Sequence, residues 1–493
     1  MTVRKIAGLV LCGILMGSGP AKASESASIF SSQTGPGENL AQLIARGAYV
    51  ARTADCAACH VGADGAPYAG GYEIASPLGT IIATNISPSR TFGIGGWSEE
   101  VFARALRKGV TPHGNLYPAM PYPSYAGMSD EDVHALYIYL THVVKPVERG
   151  PTVGTRLSFP FNLRTLMTGW NAVFSRQKPM AHAATAPGGI ERGRYLVEVV
   201  GHCSSCHTPR NFAMAEDRSQ FLGGAAVGGW FAPNITSDPI SGIGGWSEDE
   251  LVTYLRTGAV AGKSQAAGGM AEAIEHGLRH LADDDLRAIA RYLKSVPPIR
   301  EAGQSEPAYG VAFAQPSNFE ALNLGHDRSP AAMRDGASTQ GEQIYVAACA
   351  ACHQLHGEGT SDQFYPSLYA NTATGGTSPR NLVMAIVKGV HRETNDGTVV
   401  MPAFGAELND AQIAAVSNYV LSRFGNPHLS VSAAEVAGYR IGREEPLVVK
   451  LFGPAGAVAA LGGLAAGLAG MSLARRRRGD GSDGAVAKMR IED

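Results

Sequence analysis

The chain has 493 residues, and its 41 lysines and arginines nearly balance its 43 aspartates and glutamates. That balance provides no basic field for nucleic acid, and a hydrophobic fraction of 45% is typical of neither a disordered nor a fibrous chain. At roughly 100 to 200 residues per domain, the length predicts about three domains.

The N-terminus has the three-part pattern of a secretory signal. Arg4 and Lys5 precede an apolar run over residues 6–16, and small residues then lead to Ala23. We therefore expect residues 1–23 to be a signal peptide and the mature chain to be exported. Cys12 falls within the removed segment, which leaves six cysteines in the mature chain.

A repeat divides the body of the chain into modules. Residues 46–50 (RGAYV) and 192–196 (RGRYL) open two modules in the same way, and the block GIGGWS follows Asn85 and Asn234 at the same offset. Duplication explains this pattern better than chance. Together with a third module, which has its own cysteine motif, the predicted domains are 46–150, 191–299 and 338–427.

Each module is predicted to contain amphipathic helices with recognisable ends. Ser98 is expected to cap one helix that stops at Gly109, and Ser247 with Glu250 forms the capping box of its counterpart, which stops at Gly258. A further helix is expected to close every module, beginning near Ser129, Asp283 and Asn409. Because no sustained alternation of polar and apolar residues stands out, the expected fold class is all-α with long loops.

The far end carries a second apolar stretch. Residues 451–474 are uncharged, and four arginines follow at once at 475–478. A helix of 24 residues would be about 36 Å long, which exceeds a bilayer core of about 30 Å. We expect a C-terminal membrane-anchor helix at 451–474 with the arginines on the cytoplasmic side. An in-plane or protein-packed helix is the alternative, because the stretch is rich in alanine and glycine.

Three Cys-x-x-Cys-His motifs use all six cysteines of the mature chain. Cysteines three apart on a helical turn share one face, so both thiols reach the two vinyl groups of one haem, and the next histidine binds the iron. A zinc ribbon needs two such pairs close together, a redox dithiol does not need the histidine, and a disulfide across two residues would brace little. We therefore predict three covalently bound haem c groups, with attachment through Cys56, Cys59, Cys203, Cys206, Cys349 and Cys352 and iron ligation by His60, His207 and His353.

Methionines at a repeated position are the candidates for the sixth iron ligand. Met120, Met270 and Met401 each lie between the histidine and the closing helix of their own module, and a proline follows all but Met270. A thioether ligand favours electron transfer at a raised potential, whereas an open site favours chemistry at the iron. The competitors, which are expected to be surface or packed residues, are Met128, Met384, His113, His280, His356 and His391.

Other groups are candidates to support the haems. Pro209 lies two residues after His207, and its carbonyl is placed to accept the ring N–H of that histidine. Trp97 and Trp246 carry indole donors for haem propionates, although packing is their expected role.

These residues together resemble a known family. The segments LYPAMPYPSY, HCSSCHTPRNF, GIGGWSEDEL and MPAFG are similar to the tri-haem cytochrome c subunit of the membrane-bound periplasmic dehydrogenases of acetic acid bacteria and their relatives. The resemblance covers nearly the whole mature chain. It implies three tandem class I cytochrome c-like domains with the axial pairs His60/Met120, His207/Met270 and His353/Met401.

The resemblance also implies the function. Such a subunit has no catalytic residues of its own, takes electrons from a dehydrogenase with a flavin, PQQ or molybdenum cofactor, and passes them to ubiquinone. The arginine-ended tail is more similar to subunits paired with flavin dehydrogenases, so a flavoprotein partner is expected, with a small third subunit as a further component. The expected location is the periplasmic side of the bacterial inner membrane.

The residues alone leave two alternatives to an electron-transfer function. One is a multihaem peroxidase or reductase with one open iron, for which Met270 marks the position. The other is a structural or assembly subunit whose haems are idle. A thioether-to-iron absorption band at every site would exclude the first, and rapid reduction of all haems by a partner and its substrate would exclude the second.

Overall fold

The computed structural model describes residues 39–175, 180, 188–311, 341–394 and 397–442. The predicted signal peptide at 1–23 and the predicted anchor helix at 451–474 lie outside these residues. Among the helices of the described ranges, none combines the length and the apolar character needed to cross a membrane.

The first module begins with a capped helix that leads to the first cysteine motif. Asn39 and Gln42 form a capping box at its start. Ser98 and Ser129 cap two later helices, and Gly109 ends one of them in the left-handed conformation, as predicted. The elements are α1 (Leu40–Thr53), α2 (Cys56–Cys59), β1 (Glu73–Ser76), β2 (Gly79–Ile82), α3 (Glu99–Lys108), β3 (Val110–Thr111), β4 (Gly114–Asn115), α4 (Tyr122–Tyr125), α5 (Asp130–His142), β5 (Arg156–Leu157) and α6 (Leu166–Phe174).

The second module repeats this order. The predicted capping box of Ser247 and Glu250 and the stop at Gly258 are both confirmed. Its elements are α7 (Ile190–Tyr195), a π-helical turn (Leu196–Val200), α8 (Ser204–His207), a 3₁₀ turn (Arg218–Gln220), β6 (Ala225–Val227), β7 (Trp230–Ala232), α9 (Glu248–Thr257), β8 (Ala259–Val260), β9 (Ser264–Gln265), α10 (Gly268–His276), a 3₁₀ turn (Leu278–His280), α11 (Asp283–Ser295) and a final 3₁₀ turn (Ala308–Gly310).

The third module has the same opening and closing helices but a longer hairpin before its closing helix. Asn409 and Gln412 form the predicted capping box of that closing helix. The elements are α12 (Gly341–Ile344), a π-helical turn (Tyr345–Cys349), α13 (Ala350–His353), α14 (Thr372–Gly375), α15 (Arg380–Lys388), β10 (Val390–Thr394), β11 (Gly397–Met401), α16 (Asp410–Phe424) and α17 (Ala433–Ile441).

The expected all-α class is wrong, because every module contains antiparallel strands. The sheets in the described residues are β1-β2-β5 and the hairpins β3-β4, β6-β7, β8-β9 and β10-β11. Each strand is two to five residues long. Segments this short cannot present the alternation of polar and apolar residues by which a strand is recognised in a sequence.

The opening and closing helices of each module cross at a glycine. A Cβ atom on Gly47, Gly193 or Gly341 would overlap a backbone carbonyl oxygen of α5, α11 or α16, respectively. Two of these glycines belong to the repeated opening motif. Glycine at the crossing therefore lets the two helix backbones touch.

Reciprocal hydrogen bonds join the first two modules. Each of these two modules has an aspartate in the first turn of its closing helix, which binds the arginine of its own opening motif and the tyrosine of the opening motif in the other module. Asp132 binds Arg46 and Tyr195. Asp285 binds Arg192 and Tyr49. The tyrosine-to-aspartate oxygen distances are 2.6 and 2.5 Å. Each module has its own buried apolar core, named here the first, second and third core. The first core also contains Val199 and Val200 of the second module, so the two modules share apolar packing.

The third module contacts the second through the hairpin β6-β7. The side chain of Asn381 accepts from the backbone N–H of Phe231 at 2.9 Å and donates to its carbonyl at 2.9 Å. Trp230 packs against the core of the third module. The second module therefore touches both of the others.

Candidate haem sites

Each Cys-x-x-Cys-His motif forms one helical turn directly after the opening helix of its module. These turns are α2, α8 and α13, with Cys203 and Cys349 directly before the last two, and none of these six cysteines forms a disulfide. Burial raises the pKa of Cys56, Cys203 and Cys349 to about 12. The first thiol of each motif therefore lies in apolar surroundings, as attachment to a porphyrin edge requires.

The histidine of every motif is held by the same hydrogen bond. Its Nδ1 lies 2.6 to 2.9 Å from a backbone carbonyl oxygen in the pairs His60–Thr84, His207–Pro233 and His353–Pro366. A carbonyl only accepts, so Nδ1 carries the proton and Nε2 keeps its lone pair for a metal. Burial lowers the pKa of all three imidazoles, which favours this neutral form.

The acceptor predicted for His207 was the wrong proline. The structure places the carbonyl of Pro233 there, whereas the carbonyl of Pro209 accepts the backbone N–H of Asp217 at 2.8 Å. The repeat contained a usable signal, since Thr84 and Pro233 each directly precede one of the two repeated asparagines.

Those asparagines fix the acceptor loops. The amide of Asn85 donates to the carbonyls of Val147 and Arg149 at 2.9 and 2.8 Å, and the amide of Asn234 donates to the carbonyl of Ile299 at 2.7 Å. Each loop is thereby tied to the chain that leaves the closing helix. These bonds fix the residue directly after each of the two acceptor carbonyls.

The structure brings each candidate methionine onto the same core as its own cysteine motif. Met120 and Cys56 pack against the first core, Met270 and Cys203 against the second, and Met401 and Cys349 against the third. Their local structures differ: Met120 precedes α4, Met270 lies in the first turn of α10, and Met401 ends β11. All three side chains are partly exposed.

Most of the competing residues are either fully enclosed in a core or exposed to solvent. Met128 and Met384 are fully enclosed in the first and third cores. The side chains of His113, His280 and His391 are exposed. Trp246 is buried against Tyr254 and Tyr309, which accords with a packing role.

The first and second motifs adjoin each other. His202, next to Cys203, has Nε2 3.3 Å from the carbonyl oxygen of Ala54, two residues before Cys56. Tyr125 donates to the same carbonyl at 2.9 Å, and its ring meets the His202 ring edge-on. Sequence reasoning missed His202, because it stands outside the repeated residues.

The donor set fits haem c better than a bare metal ion. No group of three or more His, Cys, Asp or Glu that could hold a metal ion occurs in the described part of the chain. A structural zinc site would need four such ligands together. One oriented imidazole, two thiols a turn apart and a thioether on the same core match the attachment and axial ligation of a c-type haem.

The carboxyl of Asp55, directly before Cys56, predicts a pH dependence of stability. Burial and the nearby Glu272 raise its pKa to about 7, and its Oδ1 has no hydrogen-bond partner. A raised folded-state pKa means that stability present below the unfolded value is lost as the pH rises through about 7. For Asp55→Asn, which suits the left-handed backbone at this position, we expect about 2 kcal/mol more stability than the wild type at pH 8.

Denaturant unfolding at pH 5 and pH 8 tests this expectation. The difference between variant and wild type should be smaller at pH 5 than at pH 8, because the loss accumulates between the unfolded and the folded pKa. Glu100→Gln, which removes an exposed carboxylate from α3, serves as the control. Equal differences at both pH values would contradict the assignment to Asp55.

Comparison with known proteins identifies the family. A cytochrome c family model matches residues 44–143 and 338–423. The chain is 46% identical to the fructose dehydrogenase cytochrome subunit of Gluconobacter japonicus, over 83% of this chain and 85% of that protein. It is 40% identical to the gluconate 2-dehydrogenase cytochrome c subunit of Pantoea cypripedii, over 81% of this chain and 89% of the relative.

A third relative is the cytochrome c subunit of alcohol dehydrogenase (quinone) from Gluconacetobacter polyoxogenes, 40% identical over 81% of this chain and 84% of that protein. The resemblance inferred from the motifs is thus confirmed. The chain belongs to the family of cytochrome c subunits of dehydrogenase complexes, and it is an electron-transfer subunit with covalently bound haem c rather than a catalytic enzyme.

Proposed function

We propose that the chain carries three haems, one at each Cys-x-x-Cys-His motif, and passes electrons from a catalytic dehydrogenase subunit to ubiquinone. The observation that carries this proposal is the threefold recurrence of one geometry: a histidine whose Nδ1 donates to a loop carbonyl, on the same core as a methionine. The proposed axial pairs are His60/Met120, His207/Met270 and His353/Met401.

The second site is part of the proposal although the family model matches only the first and third regions. Its histidine has the same bond, from His207 to Pro233 at 2.7 Å. Met270 packs beside Cys203 against the second core. These contacts support a haem with two axial protein ligands there over an open catalytic iron.

Each part of the chain has a defined role toward the haem. When bound, the haem supplies a one-electron change between ferrous and ferric iron. The loop carbonyls fix the tautomer and orientation of the histidine rings. The apolar cores pack against the first cysteine and the methionine of each site, and apolar surroundings favour the less charged ferrous state.

The proposed partner is a flavoprotein dehydrogenase for a sugar or sugar acid, with a small third subunit as a further component, at the periplasmic side of the inner membrane. The higher identity to the fructose dehydrogenase cytochrome subunit than to the alcohol dehydrogenase subunit supports this choice. Co-purification followed by cofactor analysis tests it. A bound PQQ or molybdenum cofactor instead of flavin would overturn the choice of partner, and failure of ubiquinone to reoxidise the reduced haems would overturn the acceptor.

Replacing the methionine of the third site tests the ligand set. Met401→Ala should lower the midpoint potential of one haem by about 0.1 to 0.3 V, within the range of about 0.8 V that axial ligands span. Loss of a thioether removes the ligand that stabilises ferrous iron. The measurement is a spectroelectrochemical titration of the purified protein.

The matched control for that titration is Met384→Leu. Met384 is a methionine of the same module but lies fully buried in the core. Its replacement should leave all potentials unchanged. Three wild-type potentials in Met401→Ala would refute the third axial pair.

A further inference from the structure

Arg392 is a buried cation that the third module inserts into the second. It lies on β10, yet its side chain is only 1% exposed. Nη1 donates to the carbonyl of Ala266 at 2.7 Å, and Nη2 donates to Oε1 of Gln265 at 2.9 Å. Its aliphatic stem contacts Gly258, where a Cβ would come within 2.6 Å of Cδ.

The charge of Arg392 is not balanced within the described residues. The groups that face it are the peptide backbone, the neutral amide of Gln265 and the hydroxyl of Tyr254, and its Nε has no hydrogen-bond partner. None of the described ion pairs includes Arg392, and Glu393, the next residue along its strand, faces His391 instead. Guanidinium remains protonated even when burial lowers its pKa, as it does here. A buried charge without a counter-charge destabilises the fold, which indicates that Arg392 serves a function.

The guanidinium lies at the start of the segment that carries Met270. Ala266 forms a small buried cluster with Ala271 and Ile274, and Met270 packs against that cluster. Gln265, the other partner of Arg392, ends β9 just before this segment. Arg392 therefore contacts the methionine segment of the second site, although it belongs to the third module.

The first module fills the equivalent position differently. Gly109 and Gly258 are the equivalent left-handed glycines that end α3 and α9. Gly109 faces the ring of Tyr122, two residues after Met120, whereas Gly258 faces Arg392. The residue two positions after Met270 is Glu272, so the second module has no such ring. The neutral ring of Tyr122, which belongs to the first module itself, is thus replaced in the second module by the cation of Arg392 from the third.

We propose that Arg392 raises the redox potential of the second haem and holds the methionine segment of that site. The proposal rests on the proposed function, since it requires a haem at Cys203, Cys206 and His207. Ferric haem carries one more positive charge than ferrous haem, so a fixed cation in a low-dielectric environment disfavours oxidation. Burial keeps this effect from being screened by salt.

Charge-changing variants of Arg392 test the proposal in the full chain. In Arg392→Gln, the oxidised-to-reduced ratio of the second haem at fixed potential should rise about tenfold, a fall of about 59 mV in its midpoint. Arg392→Lys keeps the charge and should stay near the wild-type value. Arg90→Gln, which removes an exposed positive charge from the first module, should shift no potential.

A second variant decides the question if Arg392→Gln does not fold. Gln265→Glu is nearly isosteric and places a carboxylate at the atom that accepts from Nη2, so the charge is neutralised with Arg392 still in place. The second-haem midpoint should fall in the same direction. The second haem is assigned as the component that Met270→His lowers, because replacing a thioether by an imidazole favours ferric iron.

The outcomes separate this proposal from the proposed function. Three components that keep their wild-type midpoints in both Arg392→Gln and Gln265→Glu would overturn the role of Arg392 alone. A shift confined to a component that Met270→His does not move would overturn it as well. A titration without a second-haem component would overturn the proposed function and this inference together.

Discussion

Asp132→Ala is expected to lower the free energy of unfolding by about 3 to 5 kcal/mol, because it removes one partner of a buried charge pair. Asp132 is 4% exposed and accepts from Arg46 at 2.7 Å and from Tyr195 at 2.6 Å. The variant removes the Asp132 carboxylate from the buried guanidinium of Arg46. Chemical denaturation followed by far-ultraviolet circular dichroism measures the change.

Two variants show whether burial and the contact between modules cause the loss. Asp130→Ala removes the neighbouring carboxylate, which is 84% exposed and pairs with Arg107, and a surface pair of this kind contributes less than about 1 kcal/mol. Tyr195→Phe removes the hydroxyl that donates to Asp132 and accepts from the backbone N–H of Ser129 at 3.1 Å, and it should lower stability by about 1 to 3 kcal/mol. Equal losses for Asp130→Ala and Asp132→Ala would show that burial is irrelevant.

Gly341→Ala should destabilise the third module by about 3 kcal/mol, because the added methyl group overlaps the carbonyl oxygen of Ala415. That contact is between two helix backbones, so no side-chain movement relieves it. The helices must separate, and the core between α12 and α16 loosens. Denaturation of the variant, with haem content measured in parallel, is the test.

Gly438→Ala is the matched control for that substitution. Gly438 lies within α17, and a Cβ there would meet nothing within 4 Å. Alanine favours helix over glycine, so this variant should gain about 0.4 to 1 kcal/mol. The tight crossing would be disproved by a Gly341→Ala protein as stable as Gly438→Ala.

Local signals in the sequence predicted the helices well. The caps at Ser98, Ser129 and Ser247 and the glycine stops at Gly109 and Gly258 are confirmed. Each cap or stop depends on residues within one helical turn, so the short segment of sequence is sufficient to predict it. The haem motifs are equally local, since their chemistry is set by five consecutive residues.

Interactions between distant residues escaped prediction. The acceptor of His60 lies 24 residues away, and the aspartate that binds Tyr49 lies 236 residues away. Arg392 reaches Ala266 across 126 residues. The hairpins were missed for the opposite reason, because two to five residues carry too little pattern. Only the fold, or an alignment of the internal repeats, reveals such partners.

The reciprocal hydrogen bonds of Tyr49 and Tyr195 between the first two modules suggest how the chain evolved. Equivalent donors cross to equivalent acceptors, which is the defining property of an isologous dimer interface. A gene duplication that fused two copies of a self-pairing ancestor would leave this arrangement inside one chain. The surface between the modules would then be older than the chain itself, and either half expressed alone would be expected to pair with a copy of itself.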